Sequence, residues 1–178
     1  MAVFRGCGWT PVAATGPALL GFIADTFGAQ EGIRTTAAGS TRVVHAETLV
    51  HGVPVMLFDS ADGWPATPAF LRVYVPDVDH TVRRAVAAGA AVVTAPETLW
   101  IGDRAARIRG PWDNLWWLHT RVAEPSPEDL AAGPPHAAAE ASMTQFGDTL
   151  HEEMLRRGRE QRTPRRTVRR EEATDGER

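Results

Sequence analysis

The chain has 178 residues, 43% of them hydrophobic and 23% charged, which is enough for one domain with its own core plus a tail. A formal net charge of −3 gives no overall field to recruit nucleic acid or an anionic membrane surface. The single cysteine, Cys7, excludes an internal disulfide and a multi-cysteine zinc site. The opening MAVFRGCGWTP lacks the apolar stretch and cleavage pattern of a secretory signal, and no apolar run approaches membrane-spanning length, so a cytoplasmic protein is expected.

In chain order, WTPVAATGPALLGFIADTFGA reads as a strand followed by a helix over Gly16–Phe27. Leu19, Leu20, Ile23 and Phe27 share one face of that helix, and Gly28 stands where a C-cap belongs. Strands are predicted at Gly32–Ala38, Thr41–Val50 and Pro54–Ser60. After the connection ADGWPATP, the run FLRVYVPDVDHTVRRAVAAGA repeats the strand–helix–Gly-Ala order. Val78, Val82, Ala85, Val86 and Gly89 make its helical face, with Asp77 or Asp79 as N-cap. Further strands are predicted at Ala91–Thr94, Arg104–Arg109 and Leu115–Thr120.

Gly28 and Gly89 lie 61 positions apart, and the same offset carries Pro54–Ser60 onto Leu115–Arg121 and Trp9 onto Phe70. Two halves follow, about 4–60 and 69–122, each reading β-α-β-β-β, which makes the class α+β. VMLFD and NLWWLH are apolar on both faces, so these strands need cover on both sides.

Composition changes near Glu124. Residues 1–124 are expected to form the domain, 125–141 a Pro/Ala-rich linker, 142–159 a helix and 160–178 a disordered charged tail. The arginines from Arg156 to Arg170 are interrupted by acids and lack aromatic neighbours, so a solvated tail is expected rather than a nucleic-acid site.

FIADTFGAQE at Phe22–Glu31, VHAETLVHGVPVMLFD at Val44–Asp59, LRVYVPDVDHTVRRAVAAGA at Leu71–Ala90 and GDRAARIRGPWDNLWWLHT at Gly102–Thr120 together carry a resemblance. Over about residues 5–124 the chain is similar to the vicinal-oxygen-chelate superfamily, which includes glyoxalase I, extradiol dioxygenases, fosfomycin-modifying enzymes and bleomycin-type resistance proteins. It looks closest to the PhnB-like branch. The resemblance implies two βαβββ modules forming a curved mixed sheet around a cavity. In metal-dependent members it implies His, Glu or Gln ligands from the first and last strand of each half.

The turn Gly110-Pro111-Trp112-Asp113, where the family usually opens with Asp rather than Gly, places the last-strand position at Trp117. The offset then gives Met56, and the first-strand positions fall at Trp9 and Phe70. A thioether and three aromatic rings are not a donor set for a hard catalytic ion, so no metal cofactor is expected. The alternative, a divalent metal ion, would fall to His45 and Glu47, two residues apart on one strand face, although such a pair is more often an exposed hydrogen-bonded one.

The ligand-binding candidates are Trp9, Met56, Trp64, Phe70, Arg72, Tyr74, Trp100 and Trp117, with Arg72 and Tyr74 supplying polar orientation. An internal ion pair is an equal reading for Arg72. Trp116 is expected in the core and Trp112 at the surface or at an interface. His119 shares the parity of Trp117 and is the weak candidate for a general base.

The expectation is a metal-free protein of the bleomycin-resistance type that binds a small aromatic or apolar ligand as a homodimer, with no nucleic-acid or membrane partner. The alternative is a lyase, isomerase or dioxygenase of the same superfamily, using a relocated metal or acid–base site. A third reading makes the tail the working part of an interaction protein.

Overall fold

The computed structural model describes residues 16–61, 64 and 68–162. The first half runs α1 (Gly16–Phe27), β1 (Gln30–Thr36), β2 (Val43–Val50) and β3 (Val53–Leu57). The second runs β4 (Phe70–Tyr74), α2 (Val78–Ala87), β5 (Ala91–Thr98), β6 (Asp103–Arg109) and β7 (Leu115–Arg121). Two further helices follow, α3 (Pro127–Ala132) and α4 (Ala137–Arg162).

The helix ends are fixed by specific side chains. The Asp59 carboxylate accepts the backbone N–H of Gly16 and, at 2.7 Å, that of Val43, tying the start of α1 to β2 and placing negative charge at a helix N-terminus. At the other end Gly28 adopts φ +66° and donates to the Ala24 carbonyl. Of the two candidate caps for α2, Asp77 accepts the His80 N–H, while Asp79 instead pairs with Arg104.

Among the described residues the strands form two sheets, a three-stranded one in the order β1-β2-β3 and a four-stranded one in the order β4-β7-β6-β5. All pairings are antiparallel except β4–β7, which is parallel and bridged by the α2 crossover. One face of each sheet packs with α1 and α2 in a shared core. From the first sheet come Ala46, Val50 and Leu57, and from the second Leu71, Ile108, Trp116 and Leu118. Trp116 is fully buried with its ring 5.0 Å from Phe27, as a core residue should be. Trp112, expected at the surface or an interface, lays its ring edge-on to Phe22 at 6.2 Å and is partly buried against the core.

Two boundaries differ from expectation for physical reasons. β5 continues past Thr94 to Thr98 although Pro96 cannot donate to the ladder. The register shifts between Thr94 and Glu97 on this edge strand, which takes the proline out of the pairing. The Pro/Ala-rich segment is also partly helical. Ser126 and Asp129 form a reciprocal capping box with Pro127 in the first turn of α3, and α4 begins at Ala137 in an alanine-rich stretch of high helix propensity.

The helix expected over 142–159 is thus the greater part of a longer one, which crosses the second sheet on the side away from α1 and α2. Its contacts there include Ser142 to Glu97 at 2.6 Å, Thr149 to Thr94 at 2.7 Å and Glu153 to Arg109 at 2.9 Å. Residues 163–178 and Trp9 lie outside the described residues. None of the described helices is long and apolar enough to cross a membrane.

Candidate functional site

Between the β2–β3 hairpin and β4 lies a cavity of about 230 Å³. Val50, Val53, Val55, Leu71, Val73 and Trp116 make its walls apolar, and His51, Arg72 and Tyr74 complete the lining. His51 reaches it from the hairpin turn, where it takes φ +48° ahead of Gly52. Leu71 and Val73 face the core, whereas Arg72 and Tyr74, one residue out of phase, point to the opposite face of the edge strand. The cavity therefore has an apolar body and a polar border.

That opposite face of the second sheet carries a charge cluster. Register pairs Arg72 with Trp117 and Tyr74 with His119 on the parallel side, and Ala105 with His119 and Asp103 with Arg121 on the antiparallel side. At its centre Asp103 is only 1% exposed. Its Oδ2 accepts from Arg72 (3.2 Å), Tyr74 Oη (3.2 Å) and His119 Nδ1 (3.0 Å), and Arg121 Nε lies 3.2 Å from Oδ1. Two guanidiniums thus compensate one buried carboxylate, the condition under which a buried charge is tolerated.

Because a carboxylate can only accept, Nδ1 of His119 carries the hydrogen and Nε2 holds the lone pair. Nε2 is buried without a partner. Burial and, next, the Arg72 charge push the His119 pKa below its usual value against the opposing pull of Asp103, so the ring is neutral at pH 7. The neutral ring therefore keeps an unshared lone pair on Nε2, buried from solvent.

The sequence-predicted residues separate accordingly. Arg72, Tyr74, Trp117 and His119 share one face, and Arg72 proves to be both an internal ion-pair partner and a cavity residue. Phe70 lies on the same face, 58% exposed, with the Arg157 guanidinium 5.5 Å from its ring. Met56 is in the other sheet, opposite Glu47. Trp64 lies in the connection between the halves, edge-on to Phe58 at 6.3 Å. Trp100 follows β5 with its indole N–H buried and unpartnered. His45 and Glu47 form a part-exposed pair, Nε2 to Oε1 at 3.2 Å.

Metal-dependent relatives would require hard donors at the family positions. The described side chains there, Met56, Phe70 and Trp117, supply none, and among the described residues no three His, Cys, Asp or Glu side chains come together. These residues do not fit a catalytic divalent ion.

Asp103 and Arg107 were missed by sequence reasoning. Gly102-Asp103 reads as turn punctuation, and an arginine between apolar residues reads as an outward-facing position. The available signal was the alternation in DRAARIR, which puts Asp103, Arg107 and Arg109 on one face of what proves to be a central strand.

The sequence model of the Glyoxalase/Bleomycin resistance protein/Dioxygenase superfamily matches residues 16–118, more than half of the chain. The chain is 31% identical over 102 residues to an uncharacterized protein of Mycobacterium bovis, a match spanning 51% of this chain and 67% of that one. It is equally similar to an uncharacterized protein of Mycobacterium tuberculosis, of which the match covers 60%. TioX from Micromonospora sp. ML1 has a similar structure, with TM-score 0.51 and 24% identity over 60% of this chain and 90% of that one. So does the genomically encoded fosfomycin resistance protein FosX from Listeria monocytogenes, with TM-score 0.50 and 14% identity over 72% and 98%. The repeated half-motifs, the parallel β4–β7 closure in the second half and these matches all lead to one assignment: the chain belongs to the glyoxalase/bleomycin resistance protein/dioxygenase superfamily.

Proposed function

We propose that this protein binds a small, largely apolar or aromatic molecule without a metal ion, sequestering it as a cytoplasmic homodimer. The observation that carries the reading is the cavity of about 230 Å³ with apolar walls and Arg72 and Tyr74 at its border. An apolar cavity of roughly 150 Å³ accommodates benzene, so this one suits a single substituted ring. Burying about 150–250 Å² of such a ligand contributes on the order of 4–6 kcal/mol before the cost of association.

The test is a titration of the full chain with benzyl alcohol and a panel of neutral one- and two-ring aromatics, followed by thermal shift and tryptophan fluorescence. A saturable rise in Tm is expected, abolished by the cavity-filling Val73→Trp. If the whole panel leaves Tm unchanged, or Val73→Trp binds as well as the parent, the reading is wrong. Sedimentation of the same samples checks the dimer.

His119 favours a second reading, a metal-independent acid–base enzyme of the same superfamily, because its free Nε2 is oriented by Asp103. Turnover of a panel compound that is lost in His119→Gln, with binding retained, would select it over sequestration.

A further inference from the structure

Arg107 sits in the middle of β6, under α4, and is 3% exposed. Its guanidinium is held between two rings, 4.2 Å from that of Trp117 and 3.7 Å from that of Phe146. It donates to Thr94 Oγ1 at 3.1 Å and to the backbone carbonyl of Phe146. Its Nε–H is buried with no acceptor.

The other buried charges of this half are compensated. Asp103 has Arg72 and Arg121, and Glu153 has Arg109, Arg156 and Arg157. Arg107 has no carboxylate within ion-pair distance among the described residues, and burial alone, with no acidic neighbour to oppose it, pushes its pKa down to about 10. A buried cation without a counter-charge loses several kcal/mol of solvation, which two neutral oxygens and two ring faces offset only in part.

Further unpartnered groups lie beside it. Trp117, opposite Arg107 in register, has a buried indole N–H without an acceptor, and His119, two residues further along the same face of β7, has the buried free Nε2. Arg107 also pushes the His119 pKa down, which places the two within electrostatic reach. Two donors and a positive charge with nothing negative to meet them describe half of a binding site.

We propose that Arg107 and the Trp117 indole N–H form a binding site, beneath α4, for the oxyanion head group of a small ligand, a carboxylate or a phosphate-type group. The Phe146 carbonyl holds the place of one ligand oxygen, and the α4 turn bearing Phe146 yields when the anion enters. The guanidinium fork matches such a group, and the flanking rings exclude water from it. Arg107 and Trp117 lie on the α4 side of the second sheet, opposite the face from which Leu71, Val73 and Trp116 line the apolar cavity.

The experiment titrates the full chain at constant ionic strength with benzoate, its neutral isostere benzamide, and inorganic phosphate, reading Tm and the Nε–H proton–nitrogen correlation of Arg107. Benzoate or phosphate is expected to raise Tm and move the Arg107 resonance at millimolar concentration, and benzamide to leave that resonance in place. Arg107→Gln should weaken the anion response about tenfold or more, as loss of a charge-assisted contact implies.

Phosphate acting alone supports recognition of the head group itself. Benzoate acting without phosphate supports a carboxylate carried on a ring. If Arg107→Gln fails to fold, the resonance in the parent protein decides: no movement with either anion overturns the proposal. Equal responses to benzoate and benzamide overturn it too, while leaving the apolar cavity reading intact.

Discussion

The outward face of the first sheet and the outward face of the second derive from the same repeated half, yet they handle charge in opposite ways. On the first, His45 and Glu47 pair at about 40% side-chain exposure or more, where water solvates both partners. On the second, Asp103, Arg107 and His119 are each at most 4% exposed, and α4 lies over that sheet. A pair in water contributes little and can be removed with little consequence. A buried group holds its partners in place, and losing one leaves the rest stranded. The repeat therefore specifies where the side chains point, and the covering helix decides what their charges are worth.

The most direct test of that contrast removes one carboxylate from each face. Asp103→Ala removes the acceptor shared by Tyr74 and His119 and releases the half-exposed Arg72 and Arg121 to water, and is expected to cost about 1–3 kcal/mol of stability in urea unfolding. Glu47→Ala should stay within about 0.5 kcal/mol. Similar losses from both would break the comparison.

The next effect concerns the grip of α4. Burial disfavours the Glu153 carboxylate, but hydrogen bonds from Arg156 and Arg157, and then the Arg109 charge, outweigh it and hold the pKa down at about 2. A carboxylate with a depressed folded-state pKa stabilises above its unfolded value and loses that contribution as pH falls through the folded one. Some 3 kcal/mol, to order of magnitude, should therefore disappear between about pH 4.5 and pH 2. Glu153→Gln should flatten stability over that window, with hydrogen exchange in α4 rising first. Acid unfolding unchanged by Glu153→Gln would remove the ion cluster as the clasp.

The smallest effect is read at His119. Its folded pKa is lowered, so the unfolded chain binds the proton more readily, and stability is lost as pH falls from about 6.5 toward the folded pKa. The His119 ring protons should titrate below the usual histidine range in a proton NMR series, and His119→Gln should remove that segment of the stability profile. A midpoint at or above the usual value would mean that Asp103 outweighs burial.

Much of the scaffold was legible from local pattern. The apolar spacing and Gly28 gave α1 its full extent, and the offset between Gly28 and Gly89 placed the second half. Pro96 made β5 look short because a bulge depends on the partner strand rather than on the sequence nearby. The 125–141 segment hid α3 because proline at a first helical turn looks like a breaker unless Ser126 and Asp129 are read together as a cap. At the site, strand parity brought Arg72, Tyr74, Trp117 and His119 onto one face. Arg107 acquires its character from burial beneath a helix more than thirty residues away, and Asp103 from partners on β4 and β7, which no local period encodes.

The parallel pairing of β4 with β7 has a kinetic consequence. The β2–β3, β5–β6 and β6–β7 ladders close over short connections, whereas Phe70 meets Leu115 only after the whole α2–β5–β6 segment has been enclosed. Loop closure of that span is slower, so β4 docks late in folding and, as a terminal strand of its sheet, is among the first elements to detach during native-state fluctuations. The strand that borders the cavity is thus also the one whose transient opening offers a route into it.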